Sequence, residues 1–175
     1  MSAPILVTVG TDHHPFDRLI DWVDGWWERH DHDGVELVVQ HGTTTAPRLA
    51  PATPFLDRDD LDDLLARSRA VVCHGGPATI MEARAAGIHP IVVARDPRWG
   101  EHVDDHQLRF AGQLAADGLI TPAHVRDDLF TALDRAVADP KSYRLAASGN
   151  DVSHAVERFG QIVDEVLLSR RRVPR

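Results

Sequence analysis

Residues 69–87 read RAVVCHGGPATIMEARAAG, and the reading of this stretch decides the fold. Ala70 to Cys73 are an unbroken apolar run, the pattern of a strand buried on both faces. His74, Gly75 and Gly76 end it. Pro77 follows, a residue suited to the first helical position, where no N–H is needed. The next nine residues, ATIMEARAA, favour a helix, and Gly87 closes it. A buried strand that turns into a helix within three residues is the repeating unit of a parallel α/β sheet.

The same alternation runs outward in both directions. ILVTV (5–9) is an apolar strand, and Phe16, Leu19, Ile20, Val23 and Trp27 make the stripe of a helix. VELVVQ (35–40) predicts a second strand. A Pro/Thr-rich loop (43–54) with a short strand at its end leads to an acidic-capped helix at 57–68. Beyond the quoted stretch come a strand at 89–95, a helix at 104–118, a brief strand at Leu119–Ile120 and two final helices. The expected fold is α/β, a Rossmann-like parallel sheet with helices on both faces. It forms a single domain over 1–175, with C-terminal helices at about 122–170. Trp22 and Trp26 are expected to make a second packing face that a partner could cover.

Composition narrows the function. The formal net charge of −8 argues against general nucleic-acid affinity. Lys141 is the sole lysine and no GK[ST] occurs, so there is no P-loop. Cys73 is the sole cysteine, which excludes an internal disulfide and suits a reducing cytoplasm. No apolar run reaches the ~20 residues of a membrane span. The tail SRRRVPR (169–175) is basic, and its end is expected to fray or to touch an anionic surface.

In a doubly wound sheet, ligands bind off the carboxyl ends of the strands. Gly75 and Gly76 let a ligand approach the backbone, and the helix after them presents free N–H groups and its positive dipole end. That is an anion site, and a diphosphate fits it. Thr79 adds a hydroxyl. Glu82, one turn further, can accept from both hydroxyls of a ribose. Thr79 and Glu82 also spell a capping box, but Pro77 moves the helix start upstream and leaves Glu82 too late for capping. A second constellation is GEHVDDHQ (100–107), with Glu101, His102, Asp104, Asp105, His106 and Gln107. His102 and His106 are four apart, as in a metal site, but Val103 stands where a zinc protease needs Glu. The mixed donors and acceptors suit sugar hydroxyls better. No metal and no cofactor are expected. Cys73 reads as a small buried hydrophobe.

VTVGT (7–11), FDRLI (16–20), VVCHGGPATIMEARAAGIHPIVV (71–93) and GEHVDDHQLRFAGQLAADGLI (100–120) together resemble the C-terminal half of family 28 glycosyltransferases. The likeness covers about residues 5–121 and is greatest to the small split members. These are the catalytic subunit of the eukaryotic dolichol-pathway UDP-GlcNAc transferase and the bacterial exopolysaccharide counterparts. The resemblance implies the C-terminal half of a GT-B fold. It assigns His74, Gly75, Gly76 and Thr79 to the diphosphate and Glu82 to the ribose. Glu101, His102, Asp105, His106 and Gln107 would lie at the donor sugar, and Gly10 and Thr11 at the pyrophosphate. It further implies an inverting transfer from a UDP-sugar to a polyprenyl-diphosphate-linked acceptor, with a membrane-anchored partner subunit supplying the acceptor site. The chain would then sit in the cytoplasm at the inner face of the membrane. The general base is left among His13, His14 and a residue of the partner. UDP-GlcNAc, UDP-glucuronate, UDP-glucose and UDP-galactose all stay open as donors. A nucleotide-sugar-binding module without turnover would keep the same loops.

Overall fold

The computed structural model describes residues 3–30, 34–145, 157, 158, 160–162 and 164. Six parallel strands form one sheet: β1 (Ile5–Thr8), β2 (Leu37–Gln40), β3 (Ala52–Thr53), β4 (Ala70–Cys73), β5 (Ile91–Val92) and β6 (Thr121–Pro122). Their order across the sheet is β3-β2-β1-β4-β5-β6. This is the doubly wound order, and it places the topological switch point between β1 and β4. Ile5 pairs in register with Leu37 on one side and Ala70 on the other.

Side chains alternate along a strand, so the central strands feed two cores. Ile5, Val7, Val9, Val72, Ile91 and Val93 face α1 (Asp17–Arg29) and α5 (Arg126–Ala138). Leu6, Val71, Cys73 and Val92 face α2 (Arg58–Arg67), α3 (Pro77–Ala85) and α4 (His106–Ala116). Trp26 is not on a spare face. It is 2% exposed inside the first core, and its indole N–H donates to Asp134 at 2.7 Å. Trp22 packs partly buried against that core, with the Arg18 guanidinium 4.8 Å from its ring.

Chain ends of helices follow local rules. Asp57 caps α2 by accepting from the Asp60 N–H at 2.8 Å. Gly87 takes φ +77° after α3, with Gly87 N–H to Arg84 O and Ile88 N–H to Ala83 O, a Schellman closure. One strand differs from expectation. β6 is Thr121–Pro122 and not Leu119–Ile120, because Ile120 is buried under α4 in the second core. The ladder is carried by the N–H groups of Thr121 and Ala123, to Pro90 O and Val92 O. Pro122 is tolerated because β6 is an edge. The last expected helix falls mostly outside the described residues. Residues 157, 158, 160–162 and 164 are helical, and Ile162 is fully buried in the second core. The basic tail lies outside the described residues. No described helix is long and apolar enough to cross a membrane.

Candidate functional site

A cleft of about 480 Å³ opens at the carboxyl ends of the strands around the switch point. Gly10, Thr11, His74, Thr79, Glu82 and Gln107 line it, as the sequence leads one to expect, together with Thr8, Asp12, Gln40, Phe55, Leu56, Leu61 and Ala78. Gly75 and Gly76 form the turn that brings α3 to the cleft.

The turn is built of backbone packed on one ring. His74 is 9% exposed, and its imidazole lies between Gly10 and Gly76. A Cβ on Gly10 would come within 2.4 Å of that ring, and one on Gly76 within 2.2 Å. Gly10 also holds φ +78°, which favours glycine independently of space. At Gly75 a Cβ would meet Gln107 Cβ at 2.9 Å, so the missing side chain is what lets α4 come this close. Burial, and then the nearby Arg95 charge, push the His74 pKa down to about 4. The ring is therefore neutral near pH 7, and its buried Nδ1 has no hydrogen-bond partner among the described residues. Gly76 is the N-cap of α3, Pro77 is N1, and no side chain caps this end. The first-turn N–H groups consequently have no acceptor within the helix. Glu82 lies well inside α3, which removes any capping role for it.

The loop after β5 is held by buried charge. Arg95 is fully buried, lies 4.7 Å over the Phe16 ring, and donates to Val9 O at 2.8 Å, His14 O at 2.7 Å and Glu101 O at 3.1 Å. It thus ties the exit of β1 to the exit of β5. Glu101 is 3% exposed. Both its oxygens accept from Arg18, at 2.8 and 2.7 Å, and Oε2 also accepts the Asp96 N–H at 2.8 Å. The structure therefore makes Glu101 a strut behind the cleft, where the sequence suggested a sugar contact. Gly100, at φ +71°, supplies the reversal that sends Glu101 inward.

Of the segment 100–107, Gln107 alone is in the lining of the cleft. His102 and His106 do not face each other as a metal pair. Asp104 stands between them, its Oδ1 against Nδ1 of both, at 3.4 Å for His102. Asp105 is outside, ion-paired with Arg109 at 3.1 Å. On the loop after β1, His14 is held: its Nδ1 lies 2.6 Å from Asp12 Oδ1, which also accepts the His14 backbone N–H at 2.7 Å. His13 is looser, with a side chain 84% exposed and 3.8 Å from Asp12. Burial alone would raise the Asp12 carboxyl, but the hydrogen bonds from His14 and the charges of His14 and Arg95 hold it below the usual range. Among the described residues, Asp12, His13 and His14 each bring one metal-ligating atom within 4.8 Å of the others. Asp12 Oδ1 is already engaged by His14. Cys73 is buried with its thiol pushed up to about 12, so it is no nucleophile.

Sequence reasoning missed Gln40 and the apolar wall. Gln40 ends an otherwise apolar strand and is 5% exposed, hydrogen-bonded to Thr8 Oγ1, Gly10 O and Pro54 O. A polar residue closing a buried run was the available signal. Phe55, Leu56 and Leu61 sit where the loop after β3 meets α2. Phe55 is 52% exposed on the rim.

The description that matches this chain is the glycosyltransferase family 28 C-terminal domain, over residues 4–165. The chain belongs to that family. No curated protein matches it in sequence. Among solved structures, this family 28 domain is similar to the glycotransferase of kitacinnamycin, with TM-score 0.60, 16% identity and coverage of 99% of this chain and 44% of that one. It is similar to ALG13, with TM-score 0.59, 17% identity and coverage of 89% and 94%. It is similar also to MurG of Acinetobacter baumannii, with TM-score 0.55, 16% identity and coverage of 92% and 50%. At such identities the likeness is one of fold. The chain spans less than half the length of the kitacinnamycin glycotransferase and half that of MurG.

Proposed function

We propose that the cleft holds the UDP part of a UDP-sugar. The chain would then be the donor-binding subunit of an inverting hexosyltransferase whose acceptor is linked to a polyprenyl diphosphate. The observation that carries this reading is the uncapped N-terminus of α3 opening onto the switch-point cleft, with Glu82 further along the same helix. The order of groups fits a nucleoside diphosphate. Amides and the neutral His74 stand where phosphates would go, the Glu82 carboxylate where a ribose diol would go, and the Phe55–Leu56–Leu61 wall where a flat base would go.

Among the described residues, the cleft lining holds two carboxylates, Asp12 and Glu82, and no lysine or arginine. Charge on departing UDP would be met by the helix dipole and by its free N–H groups, oriented before the reaction begins. His14 is the better placed of the two candidate bases. Its Nδ1 is fixed by Asp12, which leaves Nε2 for the proton of an incoming hydroxyl. The acceptor site is assigned to a membrane-bound partner, which would keep the chain at the cytoplasmic face.

Calorimetry on the chain tests the reading. UDP should bind more tightly than UMP, because the second phosphate meets the α3 N-terminus. Glu82→Ala should weaken UDP by about 1.5–3 kcal/mol with the fold intact. Equal affinity for UDP and UMP would remove the assignment. Steady transfer to a polyprenyl-diphosphate sugar by the purified chain alone would contradict the need for a partner.

A further inference from the structure

A carboxylate can read a ribose only if its oxygens are held in place, and in this cleft the holding group comes from another helix. We infer that Arg58, at the start of α2, is a positioning residue that makes Glu82 selective for a ribonucleotide; this rests on the reading of the cleft as a UDP site. Arg58 Nη1 donates to Glu82 Oε1 at 2.6 Å, while its Nε donates to Asp62 Oδ2 at 2.9 Å, one turn along α2. The guanidinium is planar, so two anchored nitrogens fix its orientation. With Oε1 gripped, the plane of the Glu82 carboxylate is set, and Oε2 is left to accept from the ligand.

Charge points the same way. With two carboxylates and no cation among the described lining residues, an incoming diphosphate meets repulsion as well as the helix dipole. Arg58 neutralises Glu82 from outside the cleft. Its side chain is 63% exposed and the Glu82 side chain 28%, so the pair lies at the edge and a nucleotide can enter without displacing it. Arg58 acts through Glu82, and direct contact with phosphate is the competing possibility.

Calorimetry with UDP and 2′-deoxy-UDP separates the cases, using the full chain, Arg58→Ala, Glu82→Gln and the double variant. The unaltered chain should prefer UDP by about tenfold. Arg58→Ala should cut that preference about threefold, because it weakens UDP more than 2′-deoxy-UDP. In the Glu82→Gln background it should change nothing further. Equal loss for both nucleotides would make Arg58 a phosphate-attracting charge and overturn the inference. An unchanged preference would reduce the pair to a surface contact and overturn it too. If the unaltered chain binds both nucleotides alike, the ribose role of Glu82 falls and Arg58 with it. If it binds neither, the cleft itself is not a UDP site.

Discussion

The loop after β4 and the loop after β5 leave neighbouring strands at the same edge of the sheet, and they are built in opposite ways. His74 to Gly76 is short and relies on absent side chains: one imidazole fills the space that Gly10 and Gly76 leave. Residues 94–105 are longer and rely on charge: Arg95 and Glu101 are buried, Arg95 donating through both Nη groups and Glu101 accepting at both carboxylate oxygens. The first loop turns the uncapped N-terminus of α3 toward the cleft. The second uses its strongest polar groups to hold itself together, and offers the cleft Gln107 from the helix that follows. In the second loop, the residues richest in chemistry are thus not the ones that line the cleft.

The largest expected effect tests the second loop. Glu101→Ala should cost about 3–5 kcal/mol in urea unfolding, because it strands Arg18 and the Asp96 N–H beside a buried gap. UDP affinity of the folded protein should not change. Stability kept with binding lost would instead return Glu101 to the ligand and erase the contrast between the loops.

His74 tests the first loop through pH. Its pKa falls from 6.5 when unfolded to about 4 when folded. Below pH 6.5 the unfolded chain therefore binds the proton that the folded ring refuses. Stability should fall as pH drops from 6.5 to 4, by about 3 kcal/mol in all, and this ring should add nothing above 6.5. The readout is the slope of stability against pH, which His74→Gln should flatten. His89, also lowered by burial, remains in both proteins and cancels.

Gly76→Ala should destabilise by about 1–3 kcal/mol through the clash with the ring. Backbone strain adds nothing, since Gly76 has φ −76°. Made in a His74→Ala background, the same change should cost less, because the obstacle is gone. Equal costs in both backgrounds would show that the ring does not fill the space between the glycines. Smallest of all, Trp99→Ala should shift stability by no more than about 0.5 kcal/mol, since Trp99 is 70% exposed at the outer bend of the second loop.

These contrasts follow how far each feature could be read in advance. HGGPAT was legible because its signals are local: two glycines, a proline at N1 and a helix stripe need no knowledge of the rest of the chain. GEHVDDHQ was legible as a polar cluster, but not which of its side chains would reach the cleft. Nothing within eight residues says that Arg18, 83 positions earlier, takes both oxygens of Glu101.

The sequence by itself determined the order of strands and helices, their parallel arrangement and the two faces of the core. An unbroken apolar run such as Ile5–Leu6–Val7 puts successive side chains on opposite faces of its strand, and caps such as Asp57 and Gly87 act within one turn. Tertiary structure alone decided which loop side chains reach the cleft, that Arg95 could be buried, and that Arg58 meets Glu82. The direction of a loop side chain is set by partners far away in sequence. A charge can leave water only where folding has already gathered enough carbonyls or carboxylates around it.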